Sequence, residues 1–172
     1  MNKIFPSKRA LVALYILAVL TAICLIAMII ILCIPKDEVY GEFTPPPFDE
    51  NAKEGEPTIP EWCDYLDLYQ TGAAYTAAMS LNLKVSGDQL IVYFTNYDKN
   101  NVNLKLRVLD SNENVIAQTG LVRPGEYIES ISLSKKVSVG DKVRLVIMGY
   151  EPESYNSMGV MKANTQIYSV VD

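Results

Sequence analysis

Residues 10–34 run for 25 positions without a charged side chain, bounded by Lys8 and Arg9 before and by Pro35, Lys36 and Asp37 after. At about 1.5 Å of rise per residue, a helix of that length is about 37 Å long, enough to cross a hydrocarbon layer of roughly 30 Å with some tilt. The run predicts a transmembrane helix, so everything after it belongs on one side of a membrane. A cleaved export signal has an apolar stretch of only about 7 to 15 residues and ends in small side chains. Here the run is longer and ends Ile30-Ile31-Leu32-Cys33-Ile34-Pro35. Cys24 and Cys33 follow Ile23 and Leu32 rather than the small residue that precedes a lipidated cysteine, so both read as side chains within the span. Lys3, Lys8 and Arg9 precede it, and only Lys36 and the more distant Lys53 follow. Basic residues near a span are retained on the cytoplasmic side. Residues 1–9 are therefore expected inside and the remainder of the chain outside, in the cell membrane, as a single-pass protein.

The net charge of −5 is concentrated just after the span. Residues 36–61 hold Asp37, Glu38, Glu42, Asp49, Glu50, Glu54, Glu56 and Glu61 against Lys36 and Lys53, together with Pro45-Pro46-Pro47, Pro57 and Pro60. Such a stretch has little apolar surface with which to offset the entropy of ordering. Residues 35–61 thus read as an extended, self-repelling acidic stalk. From residue 62 to 172 the charges nearly balance and apolar residues recur in short blocks, as in one domain with its own core.

That domain has the period of strands. Tyr75, Ala77, Met79, Leu81, Leu83 and Val85 alternate with polar or small residues, and so do Val102, Leu104, Leu106 and Val108. Further strands are expected over 90–95, 115–119, 128–133, 143–149 and 160–171, and a short helix over 61–69. Turn clusters at 86–88, 98–101, 110–114, 123–126, 139–141 and 151–153 separate them. About seven strands at this spacing predict an all-β, antiparallel immunoglobulin-like sandwich, with a small barrel as the structural alternative.

The segment from Leu121-Val122-Arg123-Pro124-Gly125-Glu126-Tyr127-Ile128 through Ile131 and Leu133 to Gly140-Asp141-Lys142-Val143 resembles the later strands of immunoglobulin-like and fibronectin type III-like domains. It is similar to the small membrane-anchored surface domains of Gram-positive bacteria. The resemblance covers roughly the last fifty residues and implies a sandwich without a well-defined activity. The chain lacks a cysteine pair within that domain, and Val143 stands at the tyrosine-corner position.

There is no histidine, which removes Ser-His-Asp and Cys-His catalysis and the usual zinc sites. Cys63, between Trp62 and Asp64, has a carboxylate neighbour that disfavours the thiolate. The enzyme class left open is a Ser-Lys hydrolase, because Ser157-Met158 is similar to the Ser-Met pair of membrane-bound signal peptidases; only Lys162 follows that serine. Asp110, Asn112 and Asn114 match the opening of a calcium loop, but Val115 and Leu121 stand where glycine and glutamate are needed, so they read as a hairpin turn. No phosphate-cradling glycine motif or basic run points to nucleotides or nucleic acid. Neither cofactor nor metal is expected. Tyr65, Tyr69, Tyr97, Tyr150 and Tyr155 fall in or beside loops, either as a recognition surface or as rings closing the sandwich.

These features predict a non-catalytic, membrane-anchored binding or assembly module of the cell envelope, with an accessory subunit of a membrane complex as the nearest alternative. In an up-down strand count the turns at 86–88, 110–114 and 134–141 share one end, which makes Asp110, Asn112, Lys135 and Lys136 candidates for a partner surface. Cys63, the one cysteine outside the span, is either a buried thiol or a disulfide to a second copy in a homodimer.

Overall fold

The computed structural model describes residues 8–33, 44–69 and 74–171. Residues 1–7, the stretch 34–43 that opens the expected stalk, residues 70–73 and residue 172 lie outside that description. The chain divides into two compact units, Met1–Phe43 and Thr44–Asp172.

The first unit holds helix α1, Lys8–Cys33, which covers the charge-free run up to Cys33 and is apolar on all sides instead of along one stripe. The hydroxyl of Thr21 donates to the carbonyl of Ala18 at 2.8 Å, so this polar group is satisfied inside its own helix. Over Leu11–Ile29 the helix is long and apolar enough to cross a membrane.

The second unit is built from β1 (Lys53–Glu54), β2 (Tyr65–Leu68), β3 (Ala77–Ser80), β4 (Leu83–Ser86), β5 (Gln89–Asn96), β6 (Asn103–Leu109), β7 (Val115–Gln118), β8 (Glu126–Ser132), β9 (Lys142–Tyr150) and β10 (Ser157–Val171). They form one curled, half-barrel sheet in the order β1-β8-β5-β4-β10-β9-β6-β7, with β3 also paired to β5 and β2 to β3. The join is β10. Its residues up to Gln166 pair antiparallel with β9, and those from Ile167 onward pair parallel with β4. The curl lets both halves contribute to one core, in which Leu83, Leu90, Phe94 and Ile128 from one half meet Leu104, Leu106, Leu145 and Ile147 from the other. Alternation explains that core: along β9 the burial is strictly in-out, and the buried positions are Val143, Leu145, Ile147 and Gly149. Gly149 has to be glycine, because a Cβ there would overlap the ring of Tyr75. The Tyr75 hydroxyl in turn donates to the carbonyls of Ile147 (3.0 Å) and Gly159 (2.9 Å).

Each of the seven expected strand segments is occupied by strand, but the sheet has ten strands where about seven were expected. The first alternating run bends at Leu81-Asn82 into β3 and β4, both of which lie against β5. The other two additions come from residues that were assigned otherwise. Residues 61–69 contain no helix; Tyr65–Leu68 is strand β2, which pairs with β3 from Tyr65↔Ser80 to Leu68↔Ala77, and Tyr65 donates its hydroxyl to Thr95 at 2.6 Å. Neighbouring strands override the local preference there.

The acidic stalk also needs correction, because its described part, residues 44–61, belongs to the domain. Leu121 donates its N–H to the carbonyl of Pro47 at 2.8 Å, Asp49 donates to the carbonyl of Leu121 at 2.9 Å, and the Asp49 carboxylate accepts the N–H of Gly120 at 2.7 Å. The guanidinium of Arg123 lies 3.7 Å above the ring of Phe48. A side chain at residue 120 would stand 2.6 Å from the backbone nitrogen of Asp49, so glycine is what permits this approach. β1 then pairs with β8, and Lys53 forms an ion pair with Glu129 at 2.9 Å. The compact unit therefore begins at Thr44, not at Trp62.

Topology dictates where the acidic stretch goes next. β1 lies on the β8 edge of its half-sheet and β2 on the β3 edge, so residues 55–64 cross that half on the side away from the core. Trp62 lands over Lys84 (5.1 Å) and beside Tyr93 (6.3 Å between rings), both on that outer side. Tyr93 sits at a bulge, where β5 advances three residues from Ile91 to Phe94 while β8 moves two, and it has a left-handed φ of 45°. The acidic segment is a strap across the domain.

Candidate functional site

The 110–114 turn is organised by one carboxylate. Asp110 Oδ1 accepts the N–H groups of Asn112 and Asn114, each at 2.9 Å, and Oδ2 accepts the ammonium of Lys135 at 2.5 Å and the side-chain amide of Asn114 at 3.4 Å. A short polar side chain that satisfies its own turn is the usual reason for aspartate at such a position. The hydrogen bond from Lys135, then that from the N–H of Asn114, hold the Asp110 carboxyl well below the ordinary value near 3.8, against the opposing effect of its desolvation. With both oxygens engaged, this carboxylate is committed to the turn.

The ion pair links the 110–114 turn to the β8–β9 connection, and two backbone bonds extend the cluster. Leu133 donates to the carbonyl of Asp88 at 2.8 Å, which brings in the β4–β5 turn, and Ser134 donates to that of Ile116 at 2.8 Å. The three turns singled out from the sequence therefore meet. Asp110 and Lys135 are in direct contact, whereas Asn112 stands exposed at the turn with only its backbone N–H engaged. Lys136 is exposed as well, on the rim of a shallow depression of about 580 Å³ lined by Val85, Leu133, Val137 and Val170. Among the described residues Lys136 makes no ion pair.

Cys63 is half-buried, a free thiol, and donates its N–H to the carbonyl of Pro60 at 3.0 Å, while the neighbouring Trp62 is 38% exposed. Of the loop tyrosines, Tyr65 and Tyr97 are tied inward. The Tyr97 hydroxyl donates to Asp67 at 2.5 Å, and burial followed by that carboxylate raises its pKa strongly. Tyr69 is open to solvent at 79% exposure.

A second surface escaped the sequence reading. On the outer side of the other half-sheet, register places Arg107 and Lys162 on either side of Val146, Lys105 beside Met148, Arg144 beside Asn164, and Lys142 beside Gln166. Five cations share this face, and among the described residues its one ion pair joins Arg144 to Glu113. Lys105 is buried at 8% exposure, and among the described residues the Nε of Arg107 is buried with no hydrogen-bond partner. Burial, and secondarily the charge of Arg107, lower the Lys105 pKa from its ordinary value. The signal lay in the paired patterns Lys105-Leu106-Arg107 and Lys142-Val143-Arg144, in which cations occupy alternate strand positions on the side away from the core. Comparison with protein-family models, with curated proteins and with solved structures finds no match to this chain.

Proposed function

We propose that the chain is a non-catalytic binding or assembly module of the cell envelope, anchored by α1 with the β domain outside the cell. An accessory role within a membrane complex, with contacts made by the span itself, is the near alternative. The observation that carries the binding reading is the convergence of three turns into one end of the domain, where the Asp110–Lys135 contact fixes the loops and leaves Asn112 and Lys136 uncommitted. Rigid loops carrying free polar side chains at one end of a β scaffold are a common arrangement for recognition. The pairing of β5 with β4 and β8 in one half, and of β6 with β7 and β9 in the other, supports an immunoglobulin-like arrangement for the domain.

The rival Ser-Lys hydrolase needs a serine and a buried, neutral lysine within hydrogen-bond reach. Ser157 and Lys162 are both exposed and lie five residues apart along β10, about 16 Å at the usual rise of a strand. Affinity capture from intact membranes, comparing the native chain with an Asn112→Arg, Lys136→Glu variant, tests the binding end. A partner retained by the native chain and lost by the folded variant is the expected result. Equal recovery of the same proteins by both would remove this end from the function.

A further inference from the structure

The two outer faces of the β domain carry opposite charge. Across one runs the acidic strap and the strand it leads into, where Glu54, Glu56, Glu61, Asp64 and Asp67 are exposed and the one basic residue between positions 53 and 67, Lys53, is already paired with Glu129. On the other lie Arg107, Lys142, Arg144 and Lys162 around the buried Lys105, and among the described residues their one ion-pair partner is Glu113. The chain as a whole is acidic by five charges, so this cationic face reflects segregation of charge, not composition.

We infer that the cationic outer face of β6, β9 and β10 binds the acidic strap of a second copy of this chain. The partner chemistry is on the molecule itself: an acidic surface spread over residues 54–67 faces away from the core on one side, and alternate cations face away from it on the other. Cations two residues apart on a strand, as in Lys142-Val143-Arg144, repeat at about 7 Å and present a row of charge to a partner. Because the two surfaces differ, the contact is heterologous and propagates from copy to copy, forming rows or closed rings. The inference rests on the anchored reading in one respect. Copies held in one bilayer meet at high effective concentration, which lets individually weak surface charges act together.

The test uses the full chain, tagged at its carboxyl end with donor or acceptor fluorophores and reconstituted in phosphatidylcholine vesicles. Energy transfer above the random level, falling as salt is raised, is expected for the native chain. A Lys142→Glu, Lys162→Glu variant and a Glu56→Lys, Glu61→Lys variant should each lose pairing by at least about tenfold. These positions are exposed, and circular dichroism checks that each variant folds. Equal mixing of the two variants should restore transfer, since each retains the face that the other lacks. Failure of the mixture to recover, or native-like pairing by the strap variant, overturns the inference. So does a basic-face variant whose only defect is loss of attachment to phosphatidylglycerol vesicles, which assigns the face to lipid. Carbonate extraction separates the two levels: a chain released from membranes defeats the anchored reading, whereas an integral chain that does not complement defeats only the pairing.

Discussion

At the scale of single residues, Asp110 couples turn geometry to pH. Its carboxyl titrates lower in the folded chain than the ordinary value near 3.8, because the charged form is held by Lys135 and by the turn's own N–H groups. A depressed carboxyl contributes stability that is complete above the ordinary carboxylate range and is lost as pH falls through the folded value. Asp110→Asn keeps the size of the side chain and removes its charge. The variant should unfold at lower urea than the native domain at neutral pH, and the two midpoints should draw together as the pH is taken below about 3.8. A constant gap at every pH would mean that the charge of Asp110 is irrelevant to the turn. The turn itself was legible in Asp110, Asn112 and Asn114, because side chain and backbone meet within four residues. The tie to Lys135 was not, since it spans 25 residues and depends on how β7 and β8 bring two loops together.

At the scale of elements, the strap separates two accounts of where the domain starts. If residues 44–61 serve only as tether, a fragment beginning at Trp62 should be as stable as one beginning at Thr44. The structure gives those residues the Pro47–Leu121 and Asp49–Gly120 bonds, the β1–β8 pair and the Phe48 ring under Arg123. Several hydrogen bonds at about 1 kcal/mol each predict a loss of at least about 2–3 kcal/mol for the shorter fragment, read from urea unfolding. Identical midpoints would restore the stalk. β9, which alternates in and out, and β6, whose sequence alternates apolar and polar residues up to Val108, could be read from the sequence, because the two faces are written at every second residue. The strap could not. Its prolines and carboxylates match the composition of unfolded chain, and what orders it is a glycine at 120 and a partner strand some seventy residues away. β2 was hidden likewise, as Tyr65-Leu66-Asp67-Leu68 is too short to show a period and is a strand only because β3 lies beside it.

At the scale of the whole molecule, orientation is decided by Cys63. With the β domain outside, a membrane-impermeant maleimide should label Cys63 on intact cells, and Cys63→Ser should abolish the signal. Labelling seen only after lysis would place the domain inside. Membranes isolated with thiols blocked and run on a non-reducing gel show in the same experiment whether this sulfur joins two copies. The long strand β10 bears on how such a domain comes into being during synthesis. Its last residues lie beside β4, with Thr165 bonded to Leu81 across 84 residues of chain, and its first residues lie beside β9. Neither half-sheet is complete until this segment has emerged, and contacts of such long range make folding slow. In the interval β4 and β9 each present an unpaired edge, which is the form in which β domains are captured by one another or by proteases. Translation that stalls before Ser157 therefore yields a chain missing the one strand that pairs with both β4 and β9, with a defined open edge on each of them.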